Sequence, residues 1–196
     1  SLGENVITDG GTFKFLSTYT DYADEAGNIY LEPIWLGDAI QVEAYSSKSA
    51  TSPSKTWTFA HNSEFKDALA VIDSTYAYYK VYLAGEDVSN TVFELTKKFE
   101  PATSVEFISN AGLTGGNDTV TIQRASTYNG VMINLTNASS EIIIGAGVVL
   151  SGAFDGTLES SSYIIRQGAA NSTIEVRENA VLSGNGQYAI YSAGGA

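Results

Sequence analysis

The sequence predicts an all-β fold: a partial solenoid of stacked short parallel strands, with one helix and a small β-rich segment ahead of it. Three observations carry this prediction. The phrase EIIIGAGVVLSG at 141–152 returns as TIEVRENAVLSG at 173–184, with apolar residues at matching places. Almost every other apolar run is short and alternates with polar residues, the period of a strand with one buried face. Composition changes at Pro101: every lysine and every proline lies at or before it, all three arginines lie after it, and glycine thickens downstream.

The first sixty residues read as strands: TFKFLSTY at 12–19, NIYLEPIWL at 28–36, AIQVEAY at 39–45 and KTWTFA at 55–60. They form a β-rich N-terminal segment, 1–60, of no recognisable type, with Trp35 and Trp57 expected to anchor it to the helix or the first coil. SEFKDALAVID predicts a helix over 63–73, because Phe65, Ala68, Leu69 and Ile72 follow helical spacing. Asn62 or Ser63 can cap its start, and Glu64 suits the positive end of its dipole. Three strands come after the helix, in YKVYLAG, NTVFELT and SVEFIS.

The repeat organises the remainder. The first strand of the unit aligns Val120-Thr121-Ile122-Gln123 with Ile142-Ile143-Ile144-Gly145 and Ile174-Glu175-Val176-Arg177. The second aligns Val148 with Ala180 and Leu150 with Leu182, closing on Gly152 and Gly184, which can take backbone angles other residues resist. The third aligns Val131-Met132-Ile133-Asn134, Tyr163-Ile164-Ile165-Arg166 and Tyr188-Ala189-Ile190-Tyr191. There, Val131/Ile133, Tyr163/Ile165 and Tyr188/Ile190 are expected on the buried face, and Asn134, Arg166 and Tyr191 on the outer one. A single unit cannot bury its apolar face, whereas stacked units can, each inward residue resting on its counterpart one coil away. The competing fold is an antiparallel sandwich, signalled by the turn-forming Tyr128-Asn129-Gly130. It leaves the match between strands one unit apart unexplained.

The run from YKVYLAG through EIIIGAGVVLSG and TIEVRENAVLSG to YAIYSAGG resembles bacterial cell-surface and secreted proteins with a right-handed parallel β-helix, of adhesin type and pectate-lyase-like fold. The likeness covers about residues 61–196, and the helix resembles the cap that often precedes such solenoids. It implies a non-enzymatic extracellular or cell-surface module, a stalk or adhesin fragment whose partners are glycans or surface proteins of host or neighbouring bacteria. The alternative is a polysaccharide lyase or glycoside hydrolase-type β-helix, or its inactive remnant. That chemistry needs clustered carboxylates and often a basic residue on an outer face. The outward candidates are Glu175, Arg177 and Arg166, with Asp155 and Glu159 in the loop 153–161. Glu175 is expected to stack over Ile143 and Thr121, and Arg177 over Gly145 and Gln123, giving a surface ion pair and no ladder of acids. Two carboxylates within about 10 Å on one outer sheet would favour the enzyme.

The formal net charge of −12 opposes nucleic acid and anionic lipid as partners, and no apolar run is long enough to enter a membrane. Cysteine is absent, so disulfides and thiolate chemistry are excluded. GGNDTVTI at 115–122 is similar to a calcium-binding nonapeptide, but no second copy lies one turn away, so no cofactor is expected. His61, the single histidine, lacks companions for a zinc site. The binding candidates are Asn134, Arg166 and Tyr191, one outer face on which an aromatic ring, a planar cation and an amide could meet a sugar. The opening Ser1-Leu2-Gly3-Glu4 has no leader character, and the closing AGGA has no cap, which reads as a piece of a longer protein. A last coil left open would show Val176, Leu182 and Ile190 edge-on and favour end-to-end self-association.

Overall fold

The computed structural model describes residues 22–23, 29–30, 38–86, 90–111, 118–160, 162–184 and 188–193. They form a β-solenoid of about four coils with a single short helix. The strand expected at 12–19, Trp35 and the Gly115-Gly116-Asn117 start of the GGNDTVTI stretch lie outside the described residues.

The N-terminal part contributes a small antiparallel pair, β1 (Tyr22–Ala23) and β2 (Ile29–Tyr30), then the hairpin β3 (Ile40–Tyr45) and β4 (Lys55–Phe59). A 3₁₀ turn at Asn62–Glu64 leads into α1 (Phe65–Ala70), shorter than the pattern predicts. The chain leaves the helix after Val71, where the Ile72 backbone N–H donates back to the Leu69 carbonyl. The first coil holds β5 (Tyr78–Leu83) and β6 (Val92–Leu95). The second holds β7 (Ser104–Ser109), β8 (Val120–Arg124) and β9 (Ile133–Leu135). The third holds β10 (Glu141–Ile144), β11 (Val148–Ser151) and β12 (Ile165–Gln167), and the fourth β13 (Thr173–Val176), β14 (Val181–Ser183) and β15 (Ile190–Ser192).

Three sheets wrap the core. The first runs β13-β10-β7-β5-β3-β4, the second β14-β11-β8-β6 and the third β15-β12-β9. Every pairing between coils is parallel, and only the β3–β4 hairpin joins antiparallel, through β5. Phe99 supplies the first coil's contact to the third sheet through a bridge to Ile133. The register explains the doubled phrase: Ile142 sits on Ile174 and over Val105, and Leu150 sits on Leu182 and over Ile122. Each inward residue is thereby an apolar shelf for the next, and Val105, Ile142, Ile122 and Leu150 are fully buried.

One row of the predicted alignment is wrong. Val120–Gln123 does not lie under Ile142; it belongs to the second sheet, with Val120 against Val148 and Ile122 against Leu150. The first-sheet place is filled by Ser104–Phe107. Gly184 does take a left-handed φ of 75°, but Gly152 does not; the preceding corner, between the first and second strands of a coil, is turned by Gly147, also at 75°, in the third coil and by Asn179, at 63°, in the fourth. The Tyr128-Asn129-Gly130 turn carries the chain from β8 around to β9 without making a hairpin.

The helix closes the first coil. Phe65 lies 5.5 Å from the Phe93 ring and 6.2 Å from Phe107, and Ala68 and Leu69 are buried in the same core. Asn62, expected as a cap, is buried: its amide donates to the Asn90 and Val92 carbonyls, tying helix to coil. Glu64 accepts from the His61 backbone N–H at 2.9 Å, one half of a capping box. Trp57 packs its partly buried ring against the core, under Lys55.

Candidate binding surface

The third sheet puts Asn134, Arg166 and Tyr191 in one column, each the register partner of the next. Their surroundings differ. Asn134 is 4% exposed, and its amide N–H donates to Glu100 at 2.8 Å, so it is held beneath the surface. Arg166 is partly exposed and has no ion pair among the described residues. It lines a groove of 280 Å³ with Lys98, Tyr128 and Glu159. Tyr191 is 38% exposed.

The expected inward placement of Tyr163 and Tyr188 is overturned. Before β12 the backbone bends, so Ile164 and Ile165 are both buried and the ring of Tyr163 is carried outside. It stacks on Tyr191 with centroids 4.5 Å apart and planes 11° from parallel, and it lies 6.3 Å from Tyr188. Tyr188 is 62% exposed. Three tyrosines therefore form one outer platform beside Arg166. Alternation along the strand counts two of them as core, because a bend shifts the faces by one residue.

The outer face of the first sheet is different. It carries Glu43, Glu106, Glu141 and Glu175 among Tyr45, Tyr78, Tyr82, Lys80 and Arg177, so carboxylates do gather on one sheet. Glu175 lies over Ile143, and Glu106 is the residue below, not Thr121. Arg177 extends its column over Gly145 but not Gln123, which pairs with Ser151. The ion pair expected between Glu175 and Arg177 is present at 2.9 Å, and the same guanidinium reaches Glu106. Glu106, 4% exposed, also accepts from the Tyr78 hydroxyl. Glu141 meets Lys48 and the Ser104 hydroxyl, and Glu43 meets Tyr45 and, at 2.8 Å, Gln41. Burial pushes the Tyr45 and Tyr78 hydroxyls up, helped by these carboxylates. Burial also raises Glu141, but the Lys48 and Ser104 hydrogen bonds outweigh it and hold the carboxyl below its usual range. That direction is opposite to what a proton donor needs.

Among the described residues no group of three His, Asp or Glu could hold a metal ion. Asp118, from the calcium-like stretch, accepts at its backbone carbonyl from Ser109 at 2.9 Å. His61 is exposed, 3.5 Å from Glu86. Asp155 and Glu159 lie in the long loop before β12, away from the acids of the first sheet. No helix among the described residues is long and apolar enough to cross a membrane. No family model, no curated protein and no solved structure matches this chain.

Proposed function

We propose that the chain is a non-enzymatic surface module, a β-solenoid stalk that presents a glycan-binding face to the outside of a cell. The observation that carries this reading is the tyrosine platform: Tyr163 stacked on Tyr191 beside the exposed ring of Tyr188. Exposed aromatic rings on a rigid sheet cost binding entropy only for the ligand, and their apolar faces suit the C–H faces of pyranose rings. Arg166 adds a planar donor one strand from Tyr191. The partners are neutral or mixed glycans on host or bacterial surfaces, and the setting is extracellular; the resemblance to bacterial β-helix surface proteins supports both. A glycan array on the intact chain tests the proposal. Binding should be lost with Tyr188→Ala and Tyr191→Ala, each about tenfold or more, with the fold unchanged. Equal binding by both variants would overturn it.

One observation favours a second reading, a polysaccharide-processing enzyme: the gathering of carboxylates on the outer face of the first sheet. Each of these acids is engaged by a donor, which argues for structural roles. Release of reducing ends or unsaturated uronides from polysaccharide, abolished by Glu175→Gln, would reverse the order of the two readings.

A further inference from the structure

A crevice opens between α1 and the first coil. Leu69 and Ile72 wall it on the helix side and Leu95 and Phe99 on the coil side, with a volume of about 180 Å³. Lys66 and Lys97 line it and are exposed. We propose that this crevice binds a short aromatic carboxylate, its ring between Leu69, Leu95 and Phe99 and its carboxylate between Lys66 and Lys97. The crevice lies at the first coil, whereas the tyrosine platform lies on the third and fourth; Lys98 borders both the crevice and the groove beside Arg166.

Charge carries the argument. The chain has a net charge of −12, and its other described lysines are engaged. Lys48 pairs with Glu141, Lys98 with Glu100 at 3.0 Å, Lys55 covers Trp57 at 4.5 Å and Lys80 covers Tyr45 at 5.2 Å. Lys66 and Lys97 have no ion pair or aromatic partner among the described residues. Of the acids on the same lining, Glu100 is paired with Lys98 and bonded by Asn134, while Glu94 is turned toward Gln123, which donates to it at 3.0 Å. Two ammonium groups without an ion-pair partner among the described residues therefore stand at a slot walled by Leu69, Leu95 and Phe99.

Size sets the rest of the ligand. A dry cavity of about 150 Å³ takes up benzene, so 180 Å³ accommodates one ring and little more. A longer acyl chain would have to run into solvent. A neutral ring would fill the slot but leave both lysines unanswered, so the acid is preferred to its amide.

Phenylacetate and phenylacetamide, titrated into the intact chain and followed by amide chemical shifts, test this. Phenylacetate should bind in the millimolar range, shift Leu69, Leu95 and Phe99, and weaken as salt is added. The amide should bind about fivefold more weakly, and Lys66→Glu with Lys97→Glu should weaken phenylacetate by about tenfold. Both lysines are exposed, so the melting temperature of the double variant should stay near that of the parent and report an intact fold. Ala70→Phe, projecting into the slot, should block phenylacetate while leaving glycan binding unchanged. Equal affinity for acid and amide, or shifts absent from the crevice, would overturn the proposal.

Discussion

Arg177, at the end of the fourth coil's first strand, is ion-paired with Glu106 on β7 of the second coil, past the Ile143 that separates Glu106 from Glu175 in the register. One guanidinium thus ties two coils that share no backbone ladder. Glu106 is nearly inaccessible, and Arg177 and Tyr78 both donate to it. Arg177→Met leaves that carboxylate buried with one donor and should cost about 1–3 kcal/mol, read by denaturant unfolding. Glu106→Gln in the Arg177→Met background should recover part of the loss. A loss confined to the Glu175 contact, which is exposed, would be well under about 1 kcal/mol and would sink the idea of a clamp.

The aliphatic ladder predicts a gradient. Ile142 is fully buried between Val105 and Ile174, whereas Ile174 is only partly buried, on a strand that pairs on one side only among the described residues. Ile142→Ala should cost about 2–5 kcal/mol, and Ile174→Ala about 1 kcal/mol. Amide exchange should show the same order, slow at β10 and fast at β13. Equal costs at the two positions would mean that the fourth coil is as tightly packed as the third.

The third-coil corner makes a steric prediction. Gly147 has φ 75°, and a side chain there would run into the Asp118 backbone carbonyl, while its counterpart Asn179 reaches 63° in open surroundings. Gly147→Ala should therefore destabilise by about 2 kcal/mol or more, strain and contact together. Asn179→Gly should be neutral to within about 0.5 kcal/mol, because glycine populates the left-handed region freely. Thermal melts of the two variants check the contrast.

These relations are unequally legible in the residues. The third-strand column Ile133, Ile165, Ile190 can be read because a full unit of sequence repeats around it. Val-Thr-Ile-Gln at 120–123 fits the wrong sheet equally well, because alternation is identical in first and second strands and says nothing about which corner a strand follows. Glu106 escapes notice for the same reason: its row is taken by the wrong strand, so the acid cluster cannot be assembled from the pattern. Tyr163 is hidden by a backbone bend that no pattern of period two contains. The helix shows in its spacing, yet its end comes early, since Val71 and Ile72 serve the core's edge from a turn.

Stability should fall at both ends of the pH scale, for opposite reasons. Glu141 is held below the ordinary carboxylate range by Lys48 and Ser104, so its contribution is present at neutral pH. It is lost as pH falls from about 4.3, the unfolded value, through the lower folded one. Lys48→Met should remove that acid-side loss. Burial and the bond to Asp73 push Tyr79 up to about 12, and burial raises Tyr78 and Tyr45 in the same direction. The unfolded chain ionises these phenols near 10 while the folded one resists, so stability drops as pH climbs from about 10. Tyr79→Phe should soften the alkaline drop. Tyrosinate absorbance rising smoothly from about pH 10 with no unfolding would contradict this.

The open end of the fourth coil predicts self-association. Among the described residues, strands β13, β14 and β15 each pair on one side only, which leaves their other edges as available backbone donors and acceptors. The apolar positions that the third coil buries are bare there: Val176 is 41% exposed and Ile190 43%, with Leu182 half-covered. Two copies meeting through this end would pair six strand edges and cover these side chains in one contact. At the other end α1 packs over Phe93 and Phe107 and covers the apolar interior of the first coil. An isologous contact, fourth coil against fourth coil, closes on itself, so the expected species is a dimer. Sedimentation at rising concentration should show monomer giving way to dimer and stopping there. Val176→Lys with Ile190→Lys, placing charge on the edges, should return the chain to monomer with its stability nearly intact, because neither side chain is part of the buried core. A parent chain that stays monomeric at high concentration, or a double variant that still dimerises, would show that the end is not the contact.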